Sequence, residues 1–595
     1  MGHRVRDVKV IQRDAPSPDL PEANYPGISP GIVQLPCGYQ KTPDHRAFRT
    51  DTVFERDITI PLRDGTILRG DVFRPANTVE PVPILLAWSP YGKSGTGFFG
   101  LDIVPLRVGV PQSKLSGFES FEAPDPAEWT ARGYAIVNVN ARGAFDSDGD
   151  LRWHSTAGAE DGYDAIEYLA TLPWCSGRVA MVGNSWLAMM QWFIAAEQPP
   201  HLTCIAPLEG CSDLYRETLC RGGVPYTPFW GALSEKWLFG RNQAENPIAM
   251  LDKFPLMNEY WADKRARLEK IKIPAYILAS YSTGLHTVGS FRGFEDIQHD
   301  QKWLRVHATQ EWFDLYSDEC TEDLQLYFDY FLKDSRNGWE KTPPVRLSVL
   351  PFTHVRVRYL NFQTWPVPGT TSKTLYLHQN HTLQDTPPDA TSVLSYMSDL
   401  PSLQMDNDGG ELSFEYTFAR KTYLIGYPRA ELYMSTVQSD DMDVFVSLRK
   451  ADLSGRLLRN INIPLENLGV KEASDVPLTN PLVYLGPTGI LRASHRKIDV
   501  ERSKPHWPLH THDIKNPLGS GQVVKLDIGI WPAGMVFEAG EKLCFRVAGH
   551  HMILAEFESL RGGFKTGNKG EHRLHLSPEN SSRIVLPIIE QLEES

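Results

Sequence analysis

Short apolar runs recur through the first half of the chain, at residues 82–88, 134–139, 178–182, 202–207, 275–279 and 303–306. Each is continuous rather than alternating, and helical stretches separate them, a pattern that predicts buried parallel strands. The segment 161–172 carries Ala165, Ile166, Leu169 and Ala170 on one stripe, the spacing of an amphipathic helix. Ahead of the first run, 57–61 and 67–73 flank Arg63-Asp64-Gly65 and predict a β-hairpin. Strands alternating with helices predict an α/β doubly wound sheet.

Three stretches break this alternation. Residues 1–51 are rich in proline (Pro16, Pro18, Pro21, Pro26, Pro30, Pro36 and Pro43) and are expected to form an extended surface arm. Residues 214–268 place Tyr226, Phe229, Trp230, Trp237, Tyr260 and Trp261 among charged residues. They read either as a helical cap over a pocket or as a helical subdomain packing its own core. After about residue 365 helical spacing fades, and short strands at 375–378, 430–434, 442–448, 523–530 and 542–547 alternate with turn formers, which predicts an all-β sandwich. The expected organisation is an arm at 1–51, an α/β domain at 52–365 and a β-sandwich at 366–595.

Composition narrows the function classes. A chain of 595 residues suits two or three domains. With 60 Lys and Arg against 73 Asp and Glu, the net charge is −13, and no basic stripe offers itself to nucleic acid. The seven cysteines include no CxxC pair, so neither a zinc site nor a redox pair is indicated. The first residues lack a signal-type apolar region and no run of 18 apolar residues occurs, so a soluble cytoplasmic protein without a membrane partner is expected. Neither G-x-x-x-x-G-K nor H-E-x-x-H is present, so no cofactor or catalytic metal is expected. The expected partner is a small-molecule substrate; the oligomeric state stays open, a homodimer included.

The sharpest local signal is Val182-Gly183-Asn184-Ser185-Trp186-Leu187, between an apolar strand and the apolar helix expected at 188–196. A serine on such a corner stands at the top of the sheet, with the next backbone N–H free to face a developing oxyanion. The usual form is G-x-S-x-G, and here Leu187 takes the fifth place, so the corner alone is read equally as a nucleophile or a structural serine. Further segments follow sheet strands: Trp88-Ser89-Pro90-Tyr91-Gly92-Lys93, Arg142-Gly143-Ala144-Phe145-Asp146-Ser147, Asp161-Gly162-Tyr163-Asp164-Ala165-Ile166-Glu167 and Pro173-Trp174 before Gly177-Arg178-Val179.

In this order they resemble the X-Pro dipeptidyl-peptidase and cocaine-esterase family, the CocE/NonD hydrolases, over about residues 52–210. The resemblance resumes at Asp441-Met442-Asp443-Val444-Phe445, Gly489–Arg496 and Ala539–Leu543, which look like that family's jelly-roll domain. It implies an α/β-hydrolase sheet with a helical cap and a C-terminal jelly roll. It further implies Ser185 as nucleophile, and Tyr91 with the Trp186 backbone N–H as oxyanion hole.

The chain departs from the family where its acid and base should lie. Aligned on Leu285-His286-Thr287, the acid's place falls on Gly284, and no Asp or Glu occurs between Lys272 and Phe294. Equal spacing after the last strand puts Glu311 in the histidine's place. A serine hydroxyl is a weak nucleophile without a base, and a glutamate near pKa ~4.3 is a poor one at neutral pH unless burial raises it. His286 and His307 lie within a few residues of the altered places, and either, with Glu311, would rebuild the set. Three functions follow. The first is a serine-dependent acyl hydrolase or acyltransferase acting on an ester or amide through Ser185. The second is an isomerase, cyclase or lyase using the oxyanion hole and Glu311. The third is a non-catalytic binding protein.

Overall fold

The computed structural model describes residues 4–352, 357–405, 409–590 and 592. Its larger sheet has eleven strands. From edge to edge these are Arg358–Phe362, Val345–Val349, Lys302–His307, Ala275–Ser280, Leu202–Leu208, Cys175–Asn184, Val82–Ser89, Ala135–Asn140, Ile67–Pro75, Thr52–Pro61 and Gly31–Leu35. The strands from Val345–Val349 to Ala135–Asn140 are parallel. Those at both margins are antiparallel. Val82–Ser89, Ala135–Asn140 and Ala275–Ser280 are buried along their whole length. That explains their unbroken apolar runs: with helices on both faces of the sheet, no side chain has water to face.

The chain leaves Val82–Ser89 for Ala135–Asn140 on one side, then crosses back to Cys175–Asn184 on the other. Strand order therefore reverses between the strands that precede Tyr91 and Ser185, and such a switch point opens a crevice at the carboxyl ends of the strands. The helix Trp186–Ala196 lies against Thr156–Ala170 and is buried at every position. The two pack tightly because position 162 is glycine; a Cβ there would come within 2.2 Å of Ile194 Cδ1.

The proline-rich arm is tied into the fold. Gly31–Leu35 pairs with Thr52–Pro61 as an edge strand, and Gln12–Asp14 pairs with Gln243–Glu245 of the insertion. Apart from Gln243–Glu245, the regular structure of the insertion at 214–268 is short helical turns, the longest being Pro247–Lys253. A second excursion, 90–131, leaves the sheet between Val82–Ser89 and Ala135–Asn140 and carries Phe99, Phe121 and Glu122. Beyond it, nine- and four-stranded antiparallel sheets build the C-terminal sandwich. Tyr281 of the α/β domain is seated on Gly534 of the sandwich, where a Cβ would lie 2.3 Å from the tyrosine ring. All seven cysteines are free and all but Cys37 are buried. Among the described residues no helix is long and apolar enough to cross a membrane.

Candidate active site

Ser185 sits at the junction of Cys175–Asn184 and Trp186–Ala196 with φ +52° and ψ −119°. Such a backbone costs on the order of 1–3 kcal/mol and persists only where its surroundings hold it. Here the Ser185 N–H donates to Glu209 O at 2.8 Å, the Asn184 N–H to Glu122 O at 3.0 Å, and the Met189 N–H to Ser185 O at 2.8 Å. Gly183 is required by the same corner. Its φ is +141°, and a Cβ would lie 2.7 Å from Leu187 Cδ2 and 3.0 Å from Glu122 O. Leu187 thus occupies the space that Gly183 leaves open, which is how the chain accommodates a leucine in the fifth place of the motif.

Tyr91 lies beside this corner. Its hydroxyl interacts with the Ser185 side chain and the Trp186 backbone N–H, and its ring packs edge-on to Trp186 with centroids 6.2 Å apart. Burial first, then the nearby Glu122, push the phenol well above its usual range, so it keeps its proton and remains a donor. Ser185, Tyr91 and the first N–H of a helix therefore meet at one point, the arrangement that stabilises charge developing on a carbonyl oxygen.

His286 and Glu311 meet as well. His286 Nδ1 is 3.2 Å from Glu311 Oε2, both residues are buried, and His286 Nε2 has no protein partner. Gln310 fixes the start of the helix that begins at Glu311: its side chain caps Glu311–Leu315 by accepting from the Trp312 and Phe313 N–H groups. On the other side, the His286 loop is held by Thr287 Oγ1 donating to Ser280 O at 2.9 Å, and by Asn480 of the sandwich accepting from the Gly284 N–H at 3.3 Å. Arg305, on the strand before Glu311, forms a fork with Asp314 and leaves Glu311 to His286.

His307 is placed differently. Its Nε2 lies 2.5 Å from Glu209 Oε1, its Nδ1 lies 3.2 Å from Thr309 Oγ1 and 3.6 Å from Asp314 Oδ1, and it does not line the cavity around Ser185. Burial alone would lower its pKa; Asp314 and Glu209 outweigh that and raise it. A histidine between two carboxylates, with both nitrogens engaged, is a residue of the scaffold. Of the two candidate histidines, the structure brings His286 to the pocket and leaves His307 beneath it.

The cavity in front of Ser185 measures about 60 Å³ and is lined by Tyr91, His286, Glu311, Glu122 and a ring of aromatic side chains from both excursions, Phe99, Phe121 and Phe229. Asn480, Pro481, Glu556 and Phe557 of the sandwich complete it, and among the described residues no lysine or arginine lines it. Glu122 accepts from Trp312 Nε1 at 3.1 Å. Burial and then Glu311 raise Glu122 well above the carboxylate range; burial also raises Glu311, but His286 opposes the rise. Both carboxyls are shifted towards the protonated form, and His286 opposes that shift at Glu311.

One nitrogen of His286 and carboxylate oxygens of Glu209 and Glu311 lie within 4.8 Å of one another, the one grouping of metal-ligand type among the described residues. The Glu209 oxygens are already bonded to His307 and to Ser280 Oγ, and Glu311 Oε2 meets His286 Nδ1. Sequence reasoning missed Glu209, Glu122 and Glu556. Glu209 had a signal, a carboxylate directly after a buried strand in Leu208-Glu209-Gly210; Glu122 and Glu556 lie in loops of no recognisable pattern.

Comparison with known proteins agrees with this architecture. Residues 64–310 match the X-Pro dipeptidyl-peptidase (S15) family, and residues 337–585 match the X-Pro dipeptidyl-peptidase C-terminal non-catalytic domain. The crystal structure of a CocE/NonD family hydrolase from Staphylococcus aureus superposes with a TM-score of 0.81 at 30% identity, covering 96% of this chain and 100% of that one. A cocaine esterase from Rhodococcus sp. is 24% identical over 622 residues, 90% of this chain and 98% of its own. An α-amino acid ester hydrolase shares the fold, with a TM-score of 0.68 at 19% identity, covering 92% of this chain and 98% of that one.

Proposed function

The chain belongs to the CocE/NonD hydrolases of the X-Pro dipeptidyl-peptidase (S15) family, and from that premise we propose that it cleaves a small ester or amide through a Ser185 acyl-enzyme, with His286 as base and Glu311 as the carboxylate that orients it. One observation carries this reading: His286 meets Glu311 through Nδ1, its Nε2 is buried without a protein partner, and the residue lines the same cavity as Ser185 and Tyr91.

A carboxylate accepting the Nδ1–H fixes the tautomer and leaves the Nε2 lone pair bare, the state a general base needs. In the first step Ser185 Oγ attacks the substrate carbonyl carbon as His286 Nε2 takes the hydroxyl proton. The oxygen that becomes negative faces the Tyr91 hydroxyl and the Trp186 N–H. Collapse of the tetrahedral adduct expels the alcohol or amine, which receives that proton from His286. Water, deprotonated by the same nitrogen, then attacks the acyl-enzyme and releases the acid. Glu311 holds the Nδ1–H throughout and, as a carboxylate, stabilises the imidazolium that forms twice in the cycle.

The aromatic walls favour an apolar acyl or leaving group, and the small volume favours a compact one. The test is hydrolysis of a panel of p-nitrophenyl esters and aminoacyl anilides by the full chain and by Ser185→Ala. Turnover that disappears in the variant supports the proposal; turnover that survives it contradicts a serine mechanism.

A further inference from the structure

Outside this site, Arg221 stands out because its charge has no counter-charge. Its residue is 9% exposed, and among the described residues no carboxylate pairs with it. Its hydrogen bonds go to the backbone O and Oγ1 of Thr488, the latter at 3.1 Å, and its guanidinium stacks 4.0 Å above the centre of the Trp531 ring. Burial pulls it down to about 9, which still leaves a cation at neutral pH. The cost of burying an unpaired charge is several kcal/mol, and neutral acceptors and a ring face offset only part of it.

The position is built, not accidental. Arg221 begins the turn Arg221-Gly222-Gly223 that wedges the insertion against the sandwich. Gly222 has φ +60°, and a Cβ there would lie 2.0 Å from Ile490 O. Arg221 lines a cavity of about 50 Å³ at this seam, together with Arg216, Glu217, Arg292, His510 and Trp531, the ring its guanidinium covers. Arg216 is neutralised by Asp213, and Arg292 by Glu217. Glu217 is fully spent, accepting from the Ser212 N–H and Oγ, the Asp213 N–H and Arg292. His510 and His512 are held neutral, first by burial and then by neighbouring histidines, and His510 Nε2 is buried without a partner. The cavity therefore has one uncompensated positive charge, one idle imidazole nitrogen, and room for a few waters or a single small ion.

We infer that this seam cavity binds a small monovalent anion, chloride or a short carboxylate, on Arg221. Charge pairing replaces the hydration that the guanidinium loses, and the anion locks the insertion to the sandwich. It also lies against the helix Thr287–Asp296, which begins directly after His286 and presents Val288 and Arg292 to the cavity.

Two measurements on the full chain test this. Crystals soaked in sodium bromide should show an anomalous peak in the seam cavity beside Arg221; bromide found elsewhere with none in the cavity overturns the proposal. Thermal unfolding at constant ionic strength should show a saturable rise of about 1–3 °C with chloride or formate and none with gluconate, which is too large for the cavity. The tighter of the two small anions names the source. In Arg221→Gln the anion-dependent rise should vanish whatever the variant's baseline stability. A rise that persists in Arg221→Gln, or that gluconate matches, overturns the site.

Discussion

His286 Nδ1 lies 3.2 Å from Glu311 Oε2, a contact between the loops that follow two adjacent parallel strands, Ala275–Ser280 and Lys302–His307. The loop expected to supply an acid supplies the histidine, and the loop expected to supply the histidine supplies the acid. Neighbouring strands end at neighbouring points, so the two side chains exchange loops and still meet.

The first prediction follows from that contact. Glu311→Gln keeps the shape but supports the wrong imidazole tautomer, and should lower kcat by about 10²–10⁴-fold with little change in KM. His286→Ala should cost at least as much, and the double variant little more than His286→Ala alone, because the two residues act as a unit. Steady-state kinetics on one chromogenic ester measures all three; additive losses would show the residues acting separately.

The second concerns Tyr91. Removing its hydroxyl in Tyr91→Phe takes one donor from the developing oxyanion and should lower kcat by about 10²–10³-fold. KM should barely move, since the ground-state carbonyl uses that donor weakly. A loss confined to KM would make Tyr91 a substrate-binding residue.

Much of this arrangement was legible in the sequence, and the reasons differ by residue. Ser185 and Tyr91 directly follow apolar strands, so the sheet fixes where they stand. Arg142 and Asp161, prominent in the motifs, form a buried fork at 2.6–2.7 Å that ties a loop to a helix; their pattern marked the fold rather than the chemistry. His286 and His307 looked interchangeable because spacing cannot say which way a side chain turns. What separates them is Glu209, which follows Leu202–Leu208 with φ +58° and engages His307 before it can reach the pocket. Glu122 was out of reach, since its contact with Trp312 spans 190 positions and no local pattern encodes it.

The third prediction concerns stability. Replacing His307 by Gln removes the imidazole from Glu209, while Asp314 keeps Arg305, and should destabilise the fold by about 3–5 kcal/mol, the scale for breaking a buried ion pair. The folded pKa of His307 is raised above its unfolded value. Its contribution is therefore complete below about pH 6.5 and is lost as pH rises through the folded pKa. Unfolding midpoints measured from pH 6 to 9 should fall with pH in the wild type and lose that component in His307→Gln; an unchanged pH profile would remove the imidazolium from the scaffold.

Active-site labelling tests the central claim most directly. The full chain is treated with a fluorophosphonate, and the adduct is located and timed by mass spectrometry. The account predicts a single adduct on Ser185 in the wild type, formed about 10²-fold or more slowly in His286→Ala and at an unchanged rate in a control such as Lys497→Ala, on the exposed surface. Labelling of another residue, or labelling of Ser185 at the same rate in His286→Ala as in the wild type, would contradict it.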